Sequence, residues 1–322
     1  MRVLITGGRG QLGRELQRAF ALSRESEGQP SGWQGAGLKP GLREMAGADV
    51  LAPDVDGLDV TDADAVERAL DQVRPALVIH AAALTDTSLC EEDPDLAMRV
   101  NAHGSLNVAR ACRLVDAAMV YVSTNEVFDG PPRRKPYAES DEPNPVNAYG
   151  RSKLAGERLV RETLPRHYVV RTAWLYAEGG GNFPAKVLRA AEERPASRTG
   201  RRELSMVMDE VATPTWARDL AQAIIRLVAL RPSGQPAYGT YHLTNAGWCS
   251  RYEWASEVLR LAGPPLADVA LRPITMADYG AGPGRAGPPK PLFTALRNEA
   301  AARLGITLRP WQEALREYLG SG

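Results

Sequence analysis

An apolar run that ends in a glycine turn and passes straight into a helix constrains this chain more than any other feature. Arg2 to Thr6 reads as a short buried strand. Gly7-Gly8-Arg9-Gly10-Gln11-Leu12-Gly13 follows at once, and Glu15 to Phe20 continues as helix. Gly7, Gly10 and Gly13 have the spacing G-x-x-G-x-x-G. A glycine turn at such a junction lets the backbone approach a pyrophosphate. The helix N-terminus then offers free N–H groups and the positive end of its dipole. Composition alone would fit any glycine-rich turn; the strand-turn-helix setting is what points to dinucleotide binding.

A second stretch carries the chemistry. In Asn147-Ala-Tyr149-Gly-Arg-Ser-Lys153 a phenol and an ammonium stand four residues apart in a helical run, on one face and one turn apart. A free tyrosine titrates near ~10, too high for proton traffic at neutral pH. A nearby ammonium favours the phenolate and should lower that value. The pair can then give a proton to a carbonyl oxygen or take one from an alcohol.

Between and after these stretches, strands and helices alternate. Ala48 to Pro53 reads as strand, and Thr61 as the N-cap of a helix over Ala63–Val73. Ala76 to Ile79 is a continuous apolar run, as a parallel strand covered on both faces requires. It ends in His80-Ala81-Ala82-Ala83, where small side chains leave room for a cofactor and His80 reads as a packed strand-end histidine. Asp93-Pro94 opens a helix that carries Asn101 and runs to about Val115. Ala118 to Thr124 is a strand, and His167 to Tyr176 another. The pattern predicts an α/β fold, a Rossmann-like doubly wound parallel sheet with ligands at the strands' carboxyl ends.

The rest is less regular. Ser23 to Gly47, rich in Gly, Ser and Pro, reads as a mobile surface insertion. Past the Gly179–Phe183 loop, helices are expected over Pro184–Glu193 and Thr215–Ala229, and a strand over Gly239–Thr244. Ser250-Arg-Tyr-Glu253 reads as a capping box. Leu266 to Pro291 reads as mostly irregular, with two closing helices after it. Residues 1–174 are expected to form the dinucleotide-binding domain. Residues 175–322 should form a smaller lobe, with 212–245 returning to the first domain and the substrate between the two.

Composition narrows the function. The 322 residues carry 39 basic and 39 acidic side chains, which gives no reason to expect nucleic acid or an acidic membrane surface. Cys90, Cys112 and Cys249 form neither a metal spacing nor a disulfide framework, which suits a reducing cytoplasm. The first apolar run is too short for a signal peptide or a membrane span.

Taken together, these stretches resemble the extended short-chain dehydrogenase/reductase superfamily and, within it, the dTDP-4-dehydrorhamnose reductase family. The resemblance rests on Thr6-Gly-Gly-Arg-Gly-Gln-Leu-Gly13, Leu58-Asp-Val-Thr-Asp62, His80-Ala-Ala-Ala83, Val100-Asn-Ala102 and Ser123-Thr-Asn-Glu-Val-Phe-Asp129. It continues through Tyr149-Gly-Arg-Ser-Lys-Leu-Ala-Gly-Glu157, Arg171-Thr-Ala-Trp-Leu-Tyr176, Asn182-Phe183, Pro214-Thr215, Gly239-Thr-Tyr-His-Leu243 and Trp311-Gln-Glu-Ala-Leu315. It implies NAD(P)H-dependent reduction of the C4 ketone of a nucleotide sugar, without a metal. Tyr149 would donate the proton, Lys153 would hold the nicotinamide ribose, and Thr124 would bond the carbonyl oxygen. The cofactor, NADPH or NADH, would lie along Gly7, Arg9, Gly10, Gln11, Leu12, Gly13, Asp54, Asp59, Val60, Ala81, Ala82, Ala83 and Asn101. Thr124, Asn125, Trp174, Asn182 and Phe183 would meet the sugar, and a homodimer is the expected assembly.

Arg9 could clamp a 2′-phosphate, whereas the Asp54 carboxylate prefers free ribose hydroxyls. Two departures from the family's usual pattern stand out. Asn125 and Glu126 replace Asp-Tyr, and Thr87-Ser-Leu-Cys-Glu91 replaces a run that carries a lysine. Two other readings stay open. One is a catalytically silent nucleotide-binding subunit similar to the methionine adenosyltransferase β subunit. The other is a reductase or epimerase of a different 4-keto nucleotide sugar.

Overall fold

A computed structural model describes residues 1–25, 42, 45–131, 135–179, 181–193, 202–230, 234–280 and 287–320. Strands β1 (Arg2–Thr6), β2 (Asp49–Leu51), β3 (Leu77–His80), β4 (Ala118–Thr124) and β5 (His167–Thr172) lie in one parallel sheet with a sixth strand, Gly239–His242. The order across the sheet is Gly239–His242, β5, β4, β3, β1, β2. The sheet is apolar on both faces because its strands are. Val3, Ile5, Ile79, Val120 and Val170 pack on one side, against the first helix (Gln11–Glu25) and Ala217–Ala229. Leu4, Val78, Met119, Tyr121 and Val169 pack on the other, against Val66, Leu70, Val108, Cys112 and Val160. This is the doubly wound arrangement predicted from the unbroken apolar runs.

The register sets the site. Thr6 is paired with His80, and Thr124 with Thr172, so the strands end along one edge. The chain runs outward from β1 to β2 and then crosses back to β3 on the other side of β1. A cleft opens at such a switch point, between the ends of β1 and β3.

Several local expectations change. The helix Ala63–Val73 is capped by Asp62, which accepts from Ala65 N–H, while Thr61 bonds Asp59 instead. Thr87–Glu92 forms an additional short helix. The helix opened by Asp93-Pro94 contains a wide π turn at Arg99–His103, which carries buried Asn101. The run His167 to Tyr176 is two strands, because the chain leaves the sheet at Trp174 (φ 41°) and Leu175–Tyr176 pairs with Thr215–Trp216. That pairing delays the following helix to Ala217. Within Leu266–Pro291, Val269–Ile274 is a strand, parallel to Arg202–Val207. Pro273 hid it, yet in a two-stranded sheet each strand is an edge, where proline is tolerated.

The Ser250/Glu253 capping box is present in full. Of the expected insertion, residues 26–41, 43 and 44 lie outside the described residues. The first helix extends to Glu25, and Met45 and Ala46 are buried rather than on the surface. Among the described residues no helix is long and apolar enough to cross a membrane.

The helix Ala148–Thr163 begins at Asn147, whose side chain accepts the Gly150 N–H at 2.8 Å. It rests directly on β4 at Gly156, where a Cβ would lie 2.4 Å from Tyr121 Oη and 2.6 Å from Asn101 O. With contacts this short, overpacking in Gly156→Ala should cost near the upper end of about 1–3 kcal/mol. This outweighs alanine's helix preference of about 1 kcal/mol, for a net loss of about 1–2 kcal/mol. Urea unfolding measures the difference; a variant as stable as wild type would mean that the helix steps away freely.

Candidate active site

Thr124 ends β4, and Tyr149 and Lys153 lie one turn apart on the helix packed against that strand. The Thr124 hydroxyl lies beside the Tyr149 phenol, accepts the Glu126 N–H at 3.2 Å and donates to Asn125 Oδ1 at 3.3 Å. Lys153 is 2 % exposed, and its ammonium sits 4.2 Å from the centroid of the Tyr121 ring. Burial pulls the Lys153 pKa down to about 7, against the opposing pull of Glu157. Burial, and then the Glu126 carboxylate, hold the Tyr149 phenol above its ordinary value, while the neighbouring Thr124 hydroxyl works the other way. The expected lowering of Tyr149 by Lys153 is thus replaced. Desolvation pushes each group towards its neutral form, and the ammonium leans on the Tyr121 ring. A protonated phenol beside a threonine hydroxyl at a strand end is equipped to donate to a carbonyl oxygen.

Beneath them lies a buried ion cluster that no single motif announced. Glu157 is fully buried and accepts from Ser123 Oγ (2.6 Å), Arg171 Nε (2.8 Å) and a terminal nitrogen of each of Arg171 and Arg161 (2.7 Å each). Burial alone would raise its pKa, but Arg171, Arg161 and Ser123 hold it below the usual range. The sequence signal was the repeat Lys153, Glu157, Arg161, which puts charge on one helix face at four-residue spacing.

The glycine turn has the shape a pyrophosphate requires. Gly7 has φ 73°, and its Cβ would lie 2.9 Å from Ala82 N. A Cβ on Gly13 would lie 2.2 Å from Gly7 O, so the helix start can close on the turn only without one. The first intrahelical bond runs from Arg14 N–H to Gly10 O (3.0 Å), leaving the Gln11, Leu12 and Gly13 N–H groups without an intrahelical acceptor. The buried Gln11 Oε1 has no partner. These features fit a dinucleotide.

Around the turn, Arg9 bonds Asp54 at 2.6 Å and also Asp56, so the two groups expected to oppose each other are paired. Asp59 accepts the Thr61 N–H and hydroxyl (2.8 Å each), and Val60 packs in the core. The Asp59 Oδ1 thus fixes the turn, while Val60 belongs to the core. Asn101 also serves the frame: its amide donates to Leu84 O and Ser152 Oγ (2.9 Å each) and accepts the Leu84 N–H (2.8 Å). The part-exposed Ala81–Ala83 line the cleft side.

On the substrate side, Asn125 donates to Thr294 Oγ1 at 2.6 Å. One of its two amide hydrogens is therefore already engaged by a residue far along the chain. Asn182, expected at the sugar, instead caps Phe183–Glu193 by accepting the Ala185 N–H (3.1 Å) and donates to Ala177 O. Phe183 stacks on Trp254 at 4.6 Å. Trp174 also stacks on Trp254 (5.5 Å), with the Arg251 guanidinium 3.7 Å from its ring centroid. Arg251 is only 5.8 Å from the Trp254 centroid, too close for the two to sit on opposite sides of Trp174. Both cover the same face of that ring.

The family model described as the RmlD substrate binding domain matches residues 1–321. A dTDP-4-dehydrorhamnose reductase of Mycolicibacterium smegmatis is 35% identical, over 99% of this chain and 85% of its own. A dTDP-4-keto-6-deoxy-D-glucose reductase of Streptomyces niveus is 36% identical, over 98% of this chain and 96% of its own. The solved structure of the dTDP-4-dehydrorhamnose reductase of Bacillus anthracis str. Ames, in complex with NADP, superposes with a TM-score of 0.80. It shares 33% identity, and the match covers 99% of both chains.

His80 bears out the reading as a packed histidine. Ser105 donates its proton to Asn101 O (2.7 Å), so it accepts from His80 Nε2 (3.0 Å), and Nδ1 accepts from the Thr6 hydroxyl (2.7 Å). Burial, with help from Lys153, pulls the His80 pKa down from 6.5 to about 3. The native state then binds fewer protons than the unfolded chain between those values, and stability falls as pH drops from 6.5 towards 3. The unfolding free energy of wild type minus that of His80→Gln should shrink between about pH 7 and about pH 4. A difference that stays flat across that range would place the histidine in water.

Proposed function

The chain belongs to the RmlD substrate binding domain family, and from that premise we propose that it is an NAD(P)H-dependent reductase of a dTDP-linked 4-keto sugar. The substrate is dTDP-4-dehydro-L-rhamnose and the product dTDP-L-rhamnose. The observation that carries this reading is the convergence of Thr124, Tyr149 and Lys153 at the sheet edge that also holds the glycine turn. When bound, the nicotinamide supplies the hydride. Tyr149 gives its proton to the C4 oxygen, and Thr124 bonds that oxygen as charge develops on it. Lys153 holds the nicotinamide ribose. A silent nucleotide-binding subunit has no use for a proton donor kept protonated beside a cofactor turn, so the intact trio favours the enzyme.

Residues 1–174 make the dinucleotide-binding lobe and 175–322 the sugar-binding lobe. The place of Gly239–His242 in the sheet supports the return of 212–245 to the first lobe. The same reading includes a homodimer in the cytoplasm, which light scattering and cell fractionation test. The Streptomyces niveus relative favours a second reading, in which the ketone belongs to the epimeric 6-deoxy-D-sugar.

Tyr149→Phe keeps the ring and removes the proton, so kcat should fall about a hundredfold or more with cofactor affinity little changed. The assay generates the 4-keto-L-sugar in situ from dTDP-glucose and follows cofactor oxidation and product identity. Turnover near wild type would sink the mechanism. Product other than dTDP-L-rhamnose would keep the mechanism and overturn the substrate.

Arg9 is 64% exposed and neutralises Asp54, so the Arg9–Asp54–Asp56 group can admit a 2′-phosphate despite its carboxylates. Arg9→Ala both removes the cation and unmasks Asp54. The ratio of kcat/KM for NADPH over NADH should drop about tenfold, the worth of one charge-assisted contact. An unchanged ratio would make Arg9 a plain surface arginine.

A further inference from the structure

The stretch 289–296 comes from the second half of the chain, yet it is tied into the site at several points. The Asn147 amide donates to Pro289 O (3.0 Å), and Asn125 donates to Thr294 Oγ1 (2.6 Å). The Leu292 N–H reaches Gly130 O (3.0 Å), and the Thr294 N–H reaches Val211 O (2.9 Å). Asn147 caps the Tyr149 helix and Asn125 follows Thr124, so this strap passes beside both. Lys290 lies on it, half-buried, with its ammonium 2.8 Å from Thr87 Oγ1, just past the alanine run that ends β3.

Among the described residues the charge on Lys290 is not compensated. An ammonium has three donors, and Thr87 takes one. Among the described residues no carboxylate stands within ion-pair distance of it. The acids nearby are committed elsewhere: Glu126 to the Asn147 amide, Glu91 to the Ala148 N–H, and Asp86 to the Ser88 and Leu89 N–H groups. Thr87–Glu91 supplies no cation of its own. A half-buried cation whose one bond goes to a neutral hydroxyl is held at a desolvation cost that an anion would offset.

We propose that Lys290 is a substrate-binding residue that holds the diphosphate of the nucleotide sugar, with the Thr87 hydroxyl fixing the ammonium in place. This rests on the reductase reading above. It also accounts for positive charge on the substrate side where Thr87–Glu91 has none. Lysine acts on a phosphate as a point charge, so arginine at the same position should serve nearly as well.

The test is calorimetric titration of wild type, Lys290→Met and Lys290→Arg with dTDP, with thymidine and with NADPH. Lys290→Met should weaken dTDP binding about tenfold, as loss of one charge-assisted bond does. Thymidine and NADPH should change less than about twofold, and Lys290→Arg should remain close to wild type. In wild type, raising NaCl from about 50 to about 500 mM should weaken dTDP but not thymidine. This arm holds even if the methionine variant folds poorly. Equal losses for dTDP and thymidine would make Lys290 a structural tie of the strap, and unchanged dTDP affinity would discard it. A loss confined to NADPH would assign the cation to the dinucleotide. A wild type that binds no dTDP at all would instead bring down the reductase reading on which the proposal stands.

Discussion

The fully buried Glu157 carboxylate is the constraint on which the geometry of the candidate site depends. An ionised carboxylate in a protein interior is tolerable only when it is paired and hydrogen-bonded on every side. Glu157 achieves this by drawing in three elements at once: Ser123 from β4, Arg171 from β5 and Arg161 from its own helix. Removing Arg171, the buried partner that holds both carboxylate oxygens, would leave the charge in the core poorly compensated. The helix therefore cannot rotate or slide without breaking the cluster, and its first turns are fixed relative to the end of β4. Ser123 is followed by Thr124, and Glu157 is preceded at one-turn spacing by Lys153 and Tyr149. A structural ion pair thus sets the distance between the Tyr149 phenol and the Thr124 hydroxyl.

Gly156 makes the same contact possible from the steric side. With no side chain there, Tyr121 and the Asn101 carbonyl can press against the helix. Tyr121 in turn donates to Lys153 O at 3.1 Å and presents its ring to the Lys153 ammonium. Close packing shields both titrating groups from water, Lys153 more fully than the part-exposed Tyr149, which raises the phenol and lowers the ammonium. The helix is close enough to the sheet to fix the reacting groups, and that closeness also tunes them.

Segments far apart in sequence complete the site. The strap through Lys290 and Thr294 lies against Asn147 and Asn125, so the second half of the chain braces residues of the first. Trp174 stands where the chain leaves the sheet. It presents one ring face to Trp254 and Arg251, which ties the end of β5 to the aromatic core of the smaller lobe.

Local pattern was enough for much of this protein. The glycine turn, the apolar strands and the Tyr149/Lys153 spacing are short-range signals, since each reports a backbone conformation or a helix face. They determined the doubly wound sheet, the order of its elements and the edge where chemistry occurs. Other features depended on partners remote in sequence, which no window can see. Asn182 has a side chain that suits a ligand, but the Ala185 N–H and the Ala177 carbonyl claim it first. Val269–Ile274 contains a proline and becomes a strand only because Arg202–Val207 lies beside it. Arg9 and Asp54, opposed when read one at a time, are paired by the fold. The sequence by itself determined which residues could do chemistry and in what frame. Only the tertiary structure decided which of them were free to do it, because a polar group's availability depends on every neighbour that can bond it.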